Sequence, residues 1–405
     1  MPWTALVGDE RLRTIIDRAL INNRDLRVTL ANLLAARAQY RIQRAAQMPT
    51  VTADANATLT HRNDQRQDNY SADIGFSAFE IDLFGRLRNL SESALQSYLA
   101  SQEGARAARI ALVAETASAY ATLAADQQLL AVARDTLSSA ERTLALTRSL
   151  NGVGLSGKLD VHQAETIVEQ ARSDVAAAVT QVAQDRNALD LLAGAPVEEV
   201  LLPLSLSTLI GSTAQVPAGI SSDVLLQRPD VLQAEHRLQA ANANIGAARA
   251  AMFPKISLTS AIGVASSALS SLFTGGAFSW TAAPSASLPI FGGGVKGNVE
   301  YSKAQQQAAL ASYENAIQSA FREVADALAR AGTIGEQQQA QRALVVSNEN
   351  AYALSEQRYR AGIDPFLTTL VNQRSLYSAR RSAIATDLEL LLNRISLYRA
   401  IGADF

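Results

Sequence analysis

The sequence predicts a mostly helical chain that also forms two β-hairpins of the membrane-barrel type, and three patterns support this fold class. Residues 256–295 carry no charged side chain. Apolar residues recur every seven positions in six other segments, which indicates long supercoiled helices. The order of these features in the first half of the chain returns in the second half, which indicates an internal duplication.

The charge-free stretch 256–295 fits two strands better than a transmembrane helix. A helix of about 20 apolar residues would span a bilayer, but Gly275-Gly276, Pro284 and Pro289 would break it. Apolar residues alternate with small or polar ones, and the apolar set is Ile256, Leu258, Ile262, Val264, Trp280, Ala282, Ala286, Leu288 and Ile290. Two strands of about ten residues around Gly275-Gly276 therefore fit a membrane β-barrel hairpin. A soluble hairpin with one face on a core fits the same alternation.

The duplication is visible as repeated short segments. Arg44-Ala45-Ala46-Gln47-Met48-Pro49 returns as Arg249-Ala250-Ala251-Met252-Phe253-Pro254. Leu83-Phe84-Gly85-Arg86 is matched by Ile290-Phe291-Gly292-Gly293. Each half therefore consists of a helix, a proline, two strands, a Phe-Gly pair and two long helices joined by a tight turn.

The first half should accordingly contain its own hairpin. We expect strands at 50–60 and 70–81, with 61–69 as a solvated loop because it is rich in charged and amide side chains. Asp54 and Asp73 fall on the polar faces of these strands, where a water-filled lumen accepts charge and lipid does not.

The longest predicted helix runs from about residue 89 to about residue 150. No proline interrupts it and Gly104 is its one glycine, so at 1.5 Å per residue it would be roughly 90 Å long. Columns of Ala beside its Leu heptad allow other helices to approach closely. The long helices are expected to reverse at Asn151-Gly152-Val153-Gly154-Leu155-Ser156-Gly157 and at Ala361-Gly362-Ile363-Asp364-Pro365, because Gly permits a tight turn.

Composition excludes several classes of function. The net charge of −2 and the pI near 6.0 give no sign of a nucleic-acid surface. The absence of Cys excludes disulfides and thiolate metal sites, and His61, His162 and His236 do not have metal-ligand spacing. Asp160 and Asp364 have no nucleophile beside them, so we expect helix caps or surface ion pairs there. The sequence thus predicts no enzyme, no metal and no cofactor.

Several motifs resemble those of the outer membrane factor family, the TolC-like and OprM-like exit ducts of tripartite efflux pumps. They are Phe79-Glu80-Ile81-Asp82-Leu83-Phe84-Gly85-Arg86, Arg358-Tyr359-Arg360-Ala361-Gly362, and Arg228-Pro229-Asp230-Val231. The resemblance covers the chain from Trp3 onward and is nearer to the OprM-like multidrug branch. Such proteins usually begin with a signal peptide and, in this branch, a lipidated Cys. The sequence opens Met1-Pro2-Trp3 without either, so we expect that a leader has been removed upstream.

The resemblance implies a trimer in which each protomer gives four strands to a shared 12-stranded outer membrane β-barrel. The helices would continue the barrel as a long coiled-coil tunnel in the periplasm. The implied function is a passive exit duct for drugs and other solutes. The implied partners are two further copies of the chain, a periplasmic adaptor (membrane fusion) protein, an inner-membrane RND-type transporter and outer membrane lipid, without nucleic acid. Type I protein or peptide secretion, or a non-channel coiled-coil scaffold, are the alternatives.

The expected domains follow the duplicated plan. They are the periplasmic helix of repeat one (1–49), the first barrel hairpin (50–84), the first long helical hairpin (85–193), a connector packed on the helices (194–219), the periplasmic helix of repeat two (220–254), the second barrel hairpin (255–292), and the second long helical hairpin with the C-terminus (293–405).

The resemblance also assigns two groups of site residues. The adaptor-docking tips would be the turns containing Gly154, Leu155, Ser156, Gly362, Ile363 and Asp364. The periplasmic gate would contain Tyr359, Arg360, Asp160, Leu367, Val371 and Arg374. On the heptad pattern alone, Tyr359 and Leu367 are expected in the coiled-coil core.

Three details of the gate are hypotheses. By family position, Leu367 would form the narrowest ring, with Thr368 beside it. Many relatives have an Asp one helical turn later, where this sequence has Val371 followed by Asn372. An ion pair between Arg360 and Asp160 would link the two long hairpins and hold the gate closed.

Overall fold

A computed structural model describes residues 2–62, 65–215, 221–292 and 294–402. The chain divides into two compact units. One contains residues 1–29, 105–229 and 317–405, and the other contains residues 30–104 and 230–316. The helices are α1 (Trp3–Leu6), α2 (Glu10–Asn22), α3 (Arg24–Ala45), α4 (Arg86–Gly152), α5 (Lys158–Ala193), α6 (Leu206–Ser212), α7 (Pro229–Ala250), α8 (Gly294–Arg360) and α9 (Phe366–Ala400). The strands are β1 (Thr52–Arg62), β2 (Gln65–Glu80), β3 (Lys255–Ser266) and β4 (Phe278–Ser287).

The long helix expected at 89–150 is confirmed as α4, an uninterrupted helix of 67 residues. The corresponding helix of the second half, α8, also has 67 residues. Gly104 is accommodated within α4, where the side chain of Gln233 occupies the space that a Cβ would need. None of the described helices is both long and apolar enough to cross a membrane.

The unit that contains residues 105–229 has a helical core around two buried tyrosines, Tyr120 and Tyr398. Tyr120 donates its hydroxyl to the carbonyl oxygen of Leu201 at 2.9 Å. Leu206 and Leu209 of α6 are buried in the same core. Burial of these leucines keeps the segment after α5 against the helices, since exposing each of them would cost about 1.5–3 kcal/mol.

The other unit contains the sheet, in which four antiparallel strands lie in the order β1-β2-β3-β4. Pairing aligns Ala53, Ile74, Ile262 and Trp280 in one row across all four strands. The adjacent row consists of Asp54, Asp73, Gly263 and Ser279. Because successive side chains of a strand point to opposite faces, the apolar and polar sets expected from the sequence lie on opposite faces of the sheet. Ile74, Ile262 and Trp280 are exposed in the single chain.

The expectation of a solvated loop at 61–69 is wrong for those of its residues that the structure describes. β1 continues to Arg62 and β2 begins at Gln65, with His61 opposite Arg66 and Thr60 opposite Gln67. Asn63 and Asp64 lie outside the described residues. The polar side chains of this segment indicated only that it contacts water. Strands that extend beyond the apolar part of a sheet contact water as well. The segment has neither Gly nor Pro to end a strand.

A β-bulge in β2 was not expected from the sequence. Pairing with β3 shifts between Phe76 and Phe79, and Ala78 adopts a left-handed φ of 53°. The backbone N–H of Ala78 donates to Oγ1 of Thr259 at 3.0 Å, which replaces a lost ladder bond. The extra residue reverses the alternation, so that Phe79 pairs with Leu258 on the apolar face.

The strand ends also differ from the expectation in the second hairpin. β4 ends at Ser287, so Leu288 and Ile290 follow the strand instead of continuing its apolar face. Pairing ends there because the partner strand β3 begins at Lys255, which lies opposite Ser287.

The two faces of β4 can be compared directly, because neighbouring alanines lie on opposite sides. Ala282 belongs to the apolar face opposite Ser260, and Ala283 belongs to the polar face opposite Thr259. If lipid covers the apolar face, Ala282→Arg should lower the free energy of unfolding by about 2–4 kcal/mol. Ala283→Arg is the matched control and should have a much smaller effect. Urea unfolding from phospholipid vesicles measures both, and equal losses would contradict a lipid-facing apolar surface.

Candidate functional site

The turn between α4 and α5 reverses the chain with a left-handed glycine. Gly154 has φ of 79°. The N–H of Leu155 donates to the carbonyl of Leu150 at 2.8 Å, and that of Gly154 donates to Asn151 at 3.0 Å. These two bonds form a Schellman motif, which satisfies the last carbonyls of a helix. Any residue with a Cβ would be strained in this left-handed conformation.

The turn between α8 and α9 repeats the same motif. Gly362 has φ of 72°, Ile363 N–H donates to Arg358 at 2.9 Å, and Gly362 N–H donates to Tyr359 at 2.9 Å. The duplicated halves thus end their long helices in the same way, with different flanking side chains. Leu155 and Ile363, which follow the two glycines, are both exposed.

Different side chains close the two turns. In the first, Asn151 donates to the carbonyl of Ser156 at 2.7 Å. In the second, Arg358 donates two hydrogen bonds to Asp364 across the turn, from Nε to Oδ2 at 2.6 Å and from Nη2 to Oδ1 at 2.9 Å. The guanidinium group lowers the pKa of Asp364 below its ordinary value. The surface ion pair expected at Asp364 is thereby confirmed, and its partner is Arg358, a cation six residues earlier across the Gly turn.

Behind the turns, the two long hairpins pack together around Tyr359. Its side chain is 6% exposed and lies in a cluster with Phe366 and Leu370. The Tyr359 and Phe366 ring centroids are 5.3 Å apart. The hydroxyl groups of Tyr359 and Thr147 are hydrogen-bonded at 3.1 Å, which joins α8 to α4. Tyr359 is therefore a core residue, as its heptad position indicated.

A second tyrosine repeats this contact one heptad earlier on α8. The Tyr352 hydroxyl lies 2.8 Å from the Ser139 hydroxyl of α4. Arg380 of α9 then donates to Asp135 of α4 at 2.8 Å and to Glu349 of α8 at 2.8 Å. These polar contacts fix the lateral position of α8 and α9 against α4. Nothing in the sequence separates their partners from the many other Ser, Asp and Glu residues of the helices.

Leu367 does not lie in the core that the heptad pattern indicated. It is 55% exposed, and Val371, one turn later, is 54% exposed. Arg374 is also exposed and lies one further turn along α9. Phe366 and Leu370 take the buried face of α9 beside Tyr359, so Leu367, Val371 and Arg374 occupy a neighbouring face. We call these three residues the α9 stripe.

The ion pair expected between Arg360 and Asp160 is absent from the described chain. Arg360 instead pairs with Glu356 one turn earlier on α8, at 2.7 Å. Asp160 accepts from the Ser156 hydroxyl at 2.8 Å and from the Gly157 N–H at 3.2 Å, as an N-terminal cap of α5. Both groups find partners within a few residues, and such local pairs need less ordering of the chain than a link between hairpins.

Comparison with known proteins identifies the family. The model of the family described as "Outer membrane efflux protein" matches residues 15–195 and 220–403. The chain belongs to the outer membrane efflux protein family. The two matched stretches coincide with the two halves of the duplication. The fold class expected from the sequence is confirmed by the long helices and the four-stranded sheet of this chain and by its likeness to solved outer membrane channels.

The relatives of this efflux protein carry names that agree with the family. The probable efflux pump outer membrane protein TtgC of Pseudomonas putida is 46% identical over 414 residues, which cover 100% of this chain and 85% of TtgC. Outer membrane protein OprJ of Pseudomonas aeruginosa is 41% identical over 419 residues, which cover 100% of this chain and 86% of OprJ. The open state of the Neisseria gonorrhoeae MtrE outer membrane channel is 37% identical, with a TM-score of 0.90 over 99% of this chain and 91% of that chain.

The Arg358–Asp364 pair should hold the second turn of this efflux protein in shape. We expect Arg358→Gln to increase amide hydrogen exchange in residues 361–364, because the carboxylate loses both charge-assisted bonds. Arg360→Gln, whose partner lies within α8, is the control and should leave exchange at the turn unchanged. In the wild type, protection should be present above the ordinary pKa of Asp and should fall as acid protonates Asp364. Equal exchange in the two variants would show that the pair does not shape the turn.

Proposed function

We propose that three copies of this outer membrane efflux protein assemble into one conduit through which small organic molecules leave the cell. The main support is the sheet. Its four strands leave one edge of β1 and one edge of β4 without a partner among the described strands, and single-chain membrane barrels need at least eight strands. Three copies would supply twelve strands and pair every edge.

The substrates and partners follow from the relatives. Similar proteins of Pseudomonas putida are named as components of antibiotic, toluene and solvent efflux pumps. We therefore propose that drugs and solvents cross this conduit passively. An inner-membrane RND-type transporter would supply the energy, and a periplasmic adaptor would connect it to the helical end. No observation favours protein secretion over this function.

The α9 stripe is our candidate for the gate. Leu367 and Val371 are exposed in the single chain next to the buried Tyr359 cluster, so they are available to meet their counterparts from the other copies. A ring of apolar side chains closes a pore by packing and by expelling water, without bound cations. The hydrogen bond between Tyr359 and Thr147 would hold α8 against α4 in the closed state.

Conductance in planar bilayers tests the gate. Leu367→Ala should raise single-channel conductance because it removes apolar volume from the constriction. Leu354→Ala, which alters an exposed leucine on α8 outside the stripe, is the control and should leave conductance unchanged. Val371→Asp should make the channel sensitive to block by divalent cations, to which the wild type is indifferent. Unchanged conductance in Leu367→Ala would place the gate elsewhere.

The two turns are our candidates for adaptor docking. Leu155 and Ile363 expose apolar surface beside small residues at the ends of long helices, where a helical partner can bury them. Leu155→Lys or Ile363→Lys should abolish drug efflux in cells while leaving the protein assembled in the membrane. Leu191→Lys, at an exposed leucine near the far end of α5, is the matched control. Full resistance in both turn variants would exclude docking at this surface.

A further inference from the structure

Two carboxyl groups meet between the helices of the first long hairpin. Asp126 lies on α4, 26 residues before its end at Gly152, and Asp185 lies on α5, 27 residues after its start at Lys158. Nearly equal lengths of helix on either side of the turn bring the two side chains side by side. Two ion pairs across the same hairpin, Arg148 with Glu165 and Arg172 with Glu141, agree with this register.

The Asp185 carboxylate is buried and lacks one hydrogen-bond partner. Asp185 is only 9% exposed. Gln181 donates to Oδ1 at 2.9 Å, but Oδ2 has no donor among the described residues. Buried polar atoms nearly always have a partner. A proton on Asp126 would supply the missing donor.

No cation of the neighbouring elements neutralises the two acids in the described part of the chain. Arg186, next to Asp185, reaches Glu199 at 3.8 Å. On α2, which packs against α5, Arg18 pairs with Glu198. On α9, Arg394 donates to the carbonyls of Ile210 and Thr213, and Asp387 accepts from Gln338. Two carboxylates in such a site cannot both ionise at low energy, because each disfavours the charge of the other.

We propose that Asp126 and Asp185 share one proton and that this proton fastens α4 to α5. With the proton bound, the O–H of Asp126 donates to the free oxygen of Asp185. Without it, two negative charges face each other inside the hairpin and one buried oxygen is left without a donor. The first long hairpin is therefore stabilised by acid, which is a regulatory property beyond the conduit function.

The direction of the pH dependence follows from the proton balance. Burial, together with the neighbouring Asp185 carboxyl, raises the pKa of Asp126 from 3.8 to about 7. Between these values the folded chain holds a proton that the unfolded chain has released, so folding binds protons. The stabilisation is fully present at low pH and is lost as the pH rises through about 7.

Thermal unfolding of the detergent-solubilised protein between about pH 5 and about pH 9 tests the proposal. The Tm of the wild type should fall as the pH rises through about 7. Asp126→Asn should remove this fall, because its amide donates to Asp185 at any pH. Asp17→Asn, at an exposed position of α2, is the control and should keep the wild-type profile. Asp126→Ala should have a lower Tm than Asp126→Asn throughout, because the buried oxygen stays unpartnered.

Two results would overturn the proposal. One is a wild-type profile without any fall across this range. The other is a fall that both Asp126→Asn and Asp185→Asn retain, which would place the titrating group elsewhere. Use of Asp185→Asn as a second variant keeps the test valid if Asp126→Asn does not fold. Calcium is the last comparison. If it raised the Tm of the wild type at high pH and left the Tm of Asp126→Asn unchanged, the site would bind a cation, and a shared proton would be refuted.

Discussion

Backbone hydrogen bonding at the edges of the sheet is the constraint on which the proposed assembly depends. β1 and β4 each have one edge without a partner strand in the described chain, and the same sheet exposes Ile74, Ile262 and Trp280 on one face. In water, such edges invite uncontrolled pairing. In lipid, each unsatisfied backbone group costs several kcal/mol. Closure by further copies of the same strands satisfies the edges and gives the apolar face to lipid.

In the helical part, the two long hairpins have the same turn geometry but different side chains around it. Both turns are Schellman motifs with a left-handed Gly, at Gly154 and Gly362. The second turn adds the Arg358–Asp364 pair, and its helices carry the buried Tyr359 and the exposed α9 stripe. Duplication thus preserved the backbone of the turn, while the side chains diverged. This divergence supports different roles for the two hairpins in the proposed gate.

The structure was predictable from the sequence where a single periodicity or a single residue type determines the local conformation. The faces of β3 and β4 followed from alternation, and the turns followed from glycine. Features that depend on a choice among many similar side chains were not predictable. Ala78 gives no sign of a bulge, since it is not Gly, and the heptad containing Leu367 does not show which face other helices cover. Arg360 and Asp160 each found a nearer partner. The pairing of Asp126 with Asp185 depends on the register of two long helices.

Cross-linking between the free edges of β1 and β4 is the most direct test of whether three copies close the sheet. The chain has no Cys, so an engineered pair is the sole source of disulfides. One Cys would replace Asn56 in β1, and the second would replace Ser279, Thr281, Ala283 or Ser285 in β4, all on the polar face. A disulfide needs Cα atoms within about 7 Å. If three copies close the sheet, one of these pairs should form covalent species of two and three chains, with three as the limit. Links within a single 43.1-kDa chain only, or an unlimited ladder of larger species, would contradict it.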